Sequence, residues 1–402
     1  MKISGIVVEY NPFHNGHRYH LKNAKEKNNV VIAVMSGDFV QRGEPSFINK
    51  WEKCRTALEE GVDIVAELPV FYSCQSAEIF ARGAVGSLDI LGAEEIVFGS
   101  ESKDIEKMKK IISLEKNEEF LEKLRENMKK GDSYPTAYNK EIENFLGKEY
   151  IVNSNDILGI EYIRGIDFWK SKIVPRALKR EGAGYHSKET LGNIASASGI
   201  RAMFEKNENL ENIKEFIPEK AWEILLKSIE EEKTADISKF YELIRYAVLS
   251  GRETMKDIQD MEEGFHIRLY EAALVCENYR DFLERIITKR FTIGRVQRIL
   301  IHILLGITKD VTENVKKRVP YVRVMGFSQK GRDYLKTLQK KREEEDTKES
   351  TKIITGLKNI QKILSEEERF YLELNERAGR IYNIVNRYEA RSIPMIFQEE
   401  ER

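Results

Sequence analysis

His14 and His17 stand three residues apart in the run Asn11-Pro12-Phe13-His14-Asn15-Gly16-His17, directly after the apolar stretch Ile3 to Val8. That order reads as a strand, a tight loop and the first turn of a helix. A helix N-terminus presents unpaired backbone N–H groups and the positive end of a dipole, so it attracts phosphate. Two imidazoles three residues apart share one side of that turn, where they can donate to an anion whose charge grows during a reaction. Gly16 lets the backbone come close to a ligand. The pattern outlines a triphosphate site; its plainer reading is a pair of surface histidines capping an ordinary helix. Of the six histidines, His14, His17, His20, His186, His266 and His302, the first three fall in this one loop. His20, one turn further on, reads as packing or as support for the other two, and His302, amid Ile301, Ile303, Leu304 and Leu305, as a satisfied core histidine.

A second candidate anion site lies near Arg180 to Arg201. Arg180-Glu181-Gly182-Ala183-Gly184-Tyr185-His186 follows a predicted strand, and Ile194-Ala195-Ser196-Ala197-Ser198-Gly199-Ile200-Arg201 opens a helix. Ser196 and Ser198 offer hydroxyls there, and Arg201 adds a permanent cation one turn in. As an alternative, the serines do no more than cap the helix. Two further loops carry polar residues where a strand ends. Ser36 to Pro45 is long enough to close over a substrate, and Gly99 in Phe98-Gly99-Ser100-Glu101 lets backbone approach an adenine or ribose; simple loop chemistry explains either by itself.

These residues need a scaffold, and the chain supplies an alternating one. Ile3 to Val8, Val30 to Met35, Val62 to Leu68, Glu95 to Phe98 and Lys172 to Leu178 are short β-branched or apolar runs. Amphipathic segments separate them: Gly16 to Lys27, Asn49 to Glu60, Gln75 to Leu91, Glu106 to Lys130 and Thr136 to Phe145. Repeated βα units imply an α/β fold with a parallel, doubly wound sheet, in which ligands bind at the carboxyl ends of the strands. From Ile200 onward strand signals nearly vanish, and stretches such as Ile213 to Glu231 and Asp236 to Leu249 predict a mostly helical second half.

At 402 residues the chain is expected to hold roughly two or three domains. Its 66 basic and 67 acidic residues leave no global field, so any nucleic-acid site must be local. Cys54, Cys74 and Cys276 lack metal-ligand spacing and suit a reducing compartment as buried small hydrophobes. With no apolar run of membrane-spanning length and no leader expected before the first strand, a soluble, cytoplasmic protein is anticipated. One segment does concentrate charge: Arg285 to Lys336 holds 13 Lys or Arg against three acidic residues, a local balance of +10. Within it Lys289, Arg290, Arg295, Arg298, Lys316, Lys317 and Arg318 are the candidate phosphate contacts. A solvated basic face, or one paired with acidic neighbours in the fold, is the other reading.

The residues resemble the HIGH superfamily of nucleotidyltransferases and class I aminoacyl-tRNA synthetases, which carry HxGH after the first strand and a later Ser-x-Ser/Thr-x-x-Arg or lysine-bearing motif. More closely, Val8 to His17, Met35 to Pro45 and Gly182 to His186 are similar to the bacterial tRNA(Met) cytidine acetate ligase family. The similarity runs along most of the chain and includes Ile293 to Arg298 and Tyr321 to Phe327. It implies a Rossmann-like HIGH-type catalytic domain over residues 1–205 and a mainly α-helical tRNA-binding region over 206–402. It further implies an enzyme that adenylates acetate with ATP, releases pyrophosphate, and passes the acetyl group to the exocyclic amine of the wobble cytidine of elongator tRNA(Met), giving N4-acetylcytidine.

By the same resemblance ATP lies along Val7, Val8, Glu9, Tyr10, Asn11, Pro12, Phe13, His14, Asn15, Gly16, His17, Arg18, Tyr19 and His20, with further contacts at Gly99, Asn155 and Arg180. Family members usually carry Pro-Asn-Asn-Ile-Leu-Gly where this chain has Ser154-Asn155-Asp156-Ile157-Leu158-Gly159; Asn155 is kept, its neighbours are not. His14 and His17 would hold the phosphates, while Ser198 and Arg201 would stabilise the departing pyrophosphate. Such in-line chemistry asks the protein to position and stabilise rather than to supply a nucleophile. Mg2+ would travel with ATP, held by phosphates and water without a protein metal cage; no protein partner is implied. Two rivals remain open at this point: a small-molecule nucleotidyltransferase of the same superfamily, and a non-catalytic RNA-binding protein that keeps a nucleotide pocket as a sensor.

Overall fold

The computed structural model describes residues 2–26, 29–132, 134–150, 152, 154–179, 194–206, 208–344, 351–389 and 391–397. Among them one sheet holds eight strands: β1 (Ile3–Val8), β2 (Val30–Ser36), β3 (Ile64–Leu68), β4 (Glu95–Ser100), β5 (Val174–Lys179), β6 (Tyr321–Ser328), β7 (Lys352–Ile354) and β8 (Met395–Phe397). Their order is β5-β4-β1-β2-β3-β6-β7, with β8 also paired to β6. All pairings are parallel except that of β3 with β6.

The apolar runs are continuous rather than alternating because helices cover both faces of the sheet. In β2, Val30, Ile32 and Val34 enter one hydrophobic cluster, while Val31, Ala33 and Met35 enter the cluster on the opposite face. α1 (Asn15–Ala24) follows β1, and α2 (Lys50–Glu59) joins β2 to β3. The helix Ala77–Ile90 precedes β4 and packs against the helix Ser154–Trp169, which has no counterpart in the sequence reading. The predicted helix Glu106 to Lys130 is two helices, Ile105–Leu114 and Glu118–Lys129; Asn117 starts the second by accepting the Phe120 N–H at 3.2 Å.

The second half is mostly helical, yet it is not free of strands. β6 is buried along its whole length and runs antiparallel to β3, a strand that the near absence of strand signals after Ile200 did not point to. Its signal is interrupted by Arg323, a charge that sequence gives no reason to bury. The structure supplies the reason. Arg323 donates from Nη1 to Glu67 of β3 at 3.4 Å and to Glu376 of the helix Glu366–Asn386. Lys50 of α2 reaches Glu67 at 2.8 Å, Glu376 at 3.5 Å and Asp38 at 3.8 Å. Burial alone would push the Glu67 carboxyl up; Lys50 and Arg323 outweigh it and hold Glu67 below the ordinary carboxylate range. This closed cluster fastens the C-terminal helix to the sheet, aided by Asn375, which accepts the Val70 N–H at 2.9 Å, and by the Tyr382 hydroxyl, which donates to Ser46 O at 2.7 Å.

Candidate active site

The strand order places β1 between β2 and β4, so successive connections leave β1 in opposite directions and a crevice opens at its carboxyl end. His14 caps α1 in that crevice: its Nδ1 accepts the Gly16 N–H at 3.0 Å, and His17 Nδ1 accepts the His14 N–H at 3.3 Å in a reciprocal capping box. With both Nδ1 atoms accepting, the neutral rings carry their proton on Nε2 and present it as a donor. The two rings lie 3.7 Å apart, centre to centre. Gly16 has a local reason to be glycine: a Cβ there would sit 2.8 Å from His14 Cε1. Tyr10 adopts φ +49, a left-handed conformation unusual for a tyrosine, and its buried ring packs edge-on to Phe13 and His17.

A cavity of about 490 Å³ opens over this loop, within the usual size of a small-ligand site. Val7, Val8, Glu9, Tyr10, Asn11, His14, Gly16, His17, Tyr19 and His20 line it from the β1 side, Gly99 from the end of β4, and Arg201 from the helix Ala197–Glu205. Arg201 ties the wall together, donating to Asn11 O at 2.8 Å and to Glu44 Oε2 at 3.0 Å. His20 sits one turn below with Nε2 at 2.9 Å from Val97 O, so it braces α1 against β4.

Most of the other predicted residues fall around the cavity rather than in its lining. Phe13 is buried in the core; Asn15 donates from Nδ2 to Glu215 O at 2.9 Å; Arg18 pairs with Glu60 at 3.4 Å on the outer face of α1; and Pro12 is buried beside them. Ser196 is the N-cap, accepting the Gly199 N–H at 3.1 Å, and lines the cavity. Ser198 is exposed, its Oγ 3.1 Å from Ser196 Oγ. Asn155 lies in the first turn of the helix Ser154–Trp169, and Arg180 with the Gly182 to His186 run lies outside the described residues. Asp156, one of the two departures from the family pattern, is buried and organises the loop after β4: its Oδ1 accepts the Ser100 hydroxyl at 2.5 Å and the Glu101 N–H at 3.1 Å.

Sequence reasoning missed the far wall. Phe98, Leu158, Tyr162 and Leu178 form its apolar side, and Lys179 stands at its rim. Leu178 and Lys179 end β5, so the rule that ligands meet the carboxyl ends of parallel strands is the signal that points to them. Also missed was Lys53, fully buried behind the loop, whose Nζ donates to Glu9 O at 3.0 Å, Ser36 O at 2.8 Å and Gly37 O at 2.8 Å. Burial lowers this ammonium to about 8, against the pull of Asp38, Glu9 and Glu67.

The basic segment is divided by its surroundings. Arg290 and Arg295 both pair with Glu262, Lys316 pairs with Glu313 and Arg318 with Glu367. Arg323, counted in the local charge, belongs to the buried cluster. Arg298 has its Nε shielded from solvent, on a helix so close to the β2 loop that a Cβ at Gly43 would meet Arg298 N at 2.2 Å. Lys289 and Lys317 are exposed and have no ion pair among the described residues. His302 is fully buried with Nε2 at 2.7 Å from Cys74 O, a core histidine. Among the described residues no helix is long and apolar enough to cross a membrane.

A mostly parallel sheet with a histidine-capped helix at its switch point is the fold of a nucleotidyltransferase, and the family model described as HIGH Nucleotidyl Transferase matches residues 1–393. The tRNA(Met) cytidine acetate ligase of Fusobacterium nucleatum subsp. nucleatum is 44% identical over 402 residues, 98% of this chain and 98% of that protein. The protein of the same name from Caldicellulosiruptor saccharolyticus is 39% identical over 390 residues, covering 95% and 94%. Crystal structures of Thermotoga maritima TmcAL, apo and bound with alpha-thio ATP, match with a TM-score of 0.88 at 33% identity over 99% of this chain and 100% of that one. The chain belongs to the tRNA(Met) cytidine acetate ligase family of HIGH nucleotidyl transferases.

Proposed function

We propose that this protein is an ATP-dependent acetate ligase that forms acetyl-adenylate and transfers the acetyl group to the exocyclic amine of the wobble cytidine of elongator tRNA(Met). The observation that carries the reading is the single cavity that gathers the His14–His17 cap, Gly99 and Arg201 at the switch point of the sheet. The relatives' names and the alpha-thio ATP bound by the Thermotoga maritima protein support it.

In this reading the α1 N-terminus and the Nε2–H donors of His14 and His17 hold the triphosphate, and Arg201 neutralises the departing pyrophosphate. The apolar wall of Phe98, Leu158, Tyr162 and Leu178 faces the base. Ser198 would join only by turning toward the cavity from its exposed place on the first turn. Asn155 and Arg180 would complete the nucleotide contacts that the family resemblance implies. Mg2+ enters with ATP as part of the substrate, bound by phosphates and water. Acetate attacks the α-phosphorus in line, so the chain supplies position and charge.

The same proposal assigns residues 1–205 to nucleotide chemistry and 206–402 to tRNA, with β6 to β8 of the second half built into the common sheet. Lys289 and Lys317 are the phosphate contacts left most accessible; Arg290, Arg295, Lys316 and Arg318 would have to exchange a carboxylate for a phosphate. Cytoplasm is the compartment where its substrates meet. Purified protein, ATP, labelled acetate and elongator tRNA(Met), followed by nucleoside analysis, tests the reading: ATP-dependent labelled N4-acetylcytidine is expected. Pyrophosphate release with a different acceptor would make it a small-molecule transferase, and no ATP turnover would make it an RNA-binding sensor.

A further inference from the structure

Acetyl transfer to cytidine has a second chemical demand that the phosphate-binding groups do not meet. The exocyclic N4 lone pair is delocalised into the ring, so the amine attacks weakly and must lose a proton as it does. The groups lining the cavity are mostly unable to take one. His14 and His17 spend Nδ1 on backbone N–H groups and present Nε2–H, while Arg201 and Lys179 are cations. Among the described residues that line the cavity, Glu9 is the one carboxylate.

Its placement is that of a held group rather than a chance one. Glu9 directly follows Val8, the last residue of β1, five residues ahead of His14, so it stands on the floor of the cavity at the foot of the phosphate loop. Oε1 accepts the Gln41 N–H at 2.7 Å, from the loop after β2, and the Glu9 carbonyl accepts from buried Lys53 at 3.0 Å. Side chain and main chain are thus both fixed. The charged and titratable groups around it are Lys53 from α2, Arg201 from the helix Ala197–Glu205, Glu44 from the β2 loop, Tyr162 from the helix Ser154–Trp169, and Cys74.

Resting on the ligase reading above, we propose that Glu9 is the general base of the acetyl-transfer half-reaction. The N4 lone pair attacks the acetyl carbonyl carbon of acetyl-adenylate; the new C–N bond forms, the C–O bond to phosphate breaks and AMP leaves with that electron pair. The N4 proton passes to the Glu9 carboxylate and from there to solvent. Burial raises the Glu9 carboxyl above its ordinary range, against the Gln41 N–H, Lys53 and Arg201, which makes it a better proton acceptor than an exposed glutamate.

The test is Glu9→Gln, which preserves an oxygen for the Gln41 N–H. Two rates are compared: acetate-dependent ATP–pyrophosphate exchange for adenylation, and single-turnover acetylation of tRNA(Met) from preformed acetyl-adenylate for transfer. Transfer should fall about 100-fold or more, the low end for loss of a general base, and far more than exchange. The wild-type transfer rate should climb with pH as Glu9 ionises, and E9Q should lose that acidic limb. Transfer by E9Q near the wild-type rate would overturn the proposal, as would equal losses in both rates, which would make Glu9 a binding group. An acidic limb that survives in E9Q would overturn it in favour of His20. Should E9Q not fold, wild-type transfer that is flat with pH below neutrality overturns it equally. A wild type that makes no acetylcytidine removes the ligase reading and this proposal together, whereas the E9Q outcomes with an active wild type bear on Glu9 alone.

Discussion

The two charged regions that flank the carboxyl end of β2 both draw on glutamate and arginine and do different work. Around the cavity, His14, His17, Glu9 and Arg201 are each held by main-chain groups: the Gly16 and His14 amides, the Gln41 amide and the Asn11 carbonyl. Arg201 also pairs with Glu44 at 3.0 Å, and all four residues line the cavity. Under α2, Lys50, Asp38, Glu67, Arg323 and Glu376 are held chiefly by one another, and little capacity is left for a ligand. Groups fixed by backbone stay available for chemistry, whereas groups that neutralise each other fasten elements together. Lys53 stands between the regions, donating to three carbonyls at or just past the ends of β1 and β2.

The comparison breaks most sharply at Arg323. Arg323→Met leaves three carboxylates, Asp38, Glu67 and Glu376, with Lys50 alone, and a loss of about 3–5 kcal/mol in chemical denaturation is expected, with nucleotide affinity of the folded fraction retained. A loss below about 1 kcal/mol would mean that the cluster does not hold the C-terminal helix. The complementary experiment is His14→Ala or His17→Ala. Each should lower acetate-dependent ATP–pyrophosphate exchange by about 10²–10³-fold while melting temperature and tRNA affinity stay close to wild type. Equal loss of exchange and tRNA binding would contradict a separation of the two sites.

A smaller effect separates Lys53 from both regions. Its folded value of about 8 lies below its ordinary 10.5, so between these limits the unfolded chain binds the proton more tightly and stability rises with pH. Measured by denaturant at pH values on either side of that window, wild type should gain on Lys53→Met as pH increases; a gain on acidification would reverse the assignment. The smallest effect is expected at the surface. Lys289→Ala and Lys317→Ala should each weaken tRNA binding modestly and lower the salt slope by about 1. Arg295→Ala, whose guanidinium already pairs with Glu262 at 2.7 Å, should change the slope less than either.

How far the sequence could be read follows the range of the contacts involved. The β1 loop was legible because its interactions are local: cap, donor and glycine all lie between Tyr10 and His17. The five parallel strands were legible from continuous apolar runs. Arg323 misled because its partners, Glu67 and Glu376, lie 256 and 53 residues away. The same separation hid Lys53, whose carbonyl partners are up to 44 residues distant, and inflated the basic surface, since Glu262 and Glu367 lie outside the segment in which charge was counted.

By itself, then, the chain's local order determined the strand–loop–helix that carries the histidines, the hydroxyl-rich start of the Arg201 helix, and the layered α/β core, because capping and hydrophobic periodicity act over a few residues. Only the tertiary structure decided which charges face the cavity and which are closed on each other. It brought β5, the Arg201 helix and β1 around one space, and it threaded β6 beside β3 so that a buried arginine meets two carboxylates. Electrostatic partners in a low-dielectric interior are chosen by position in space, and no spacing along the chain encodes that choice.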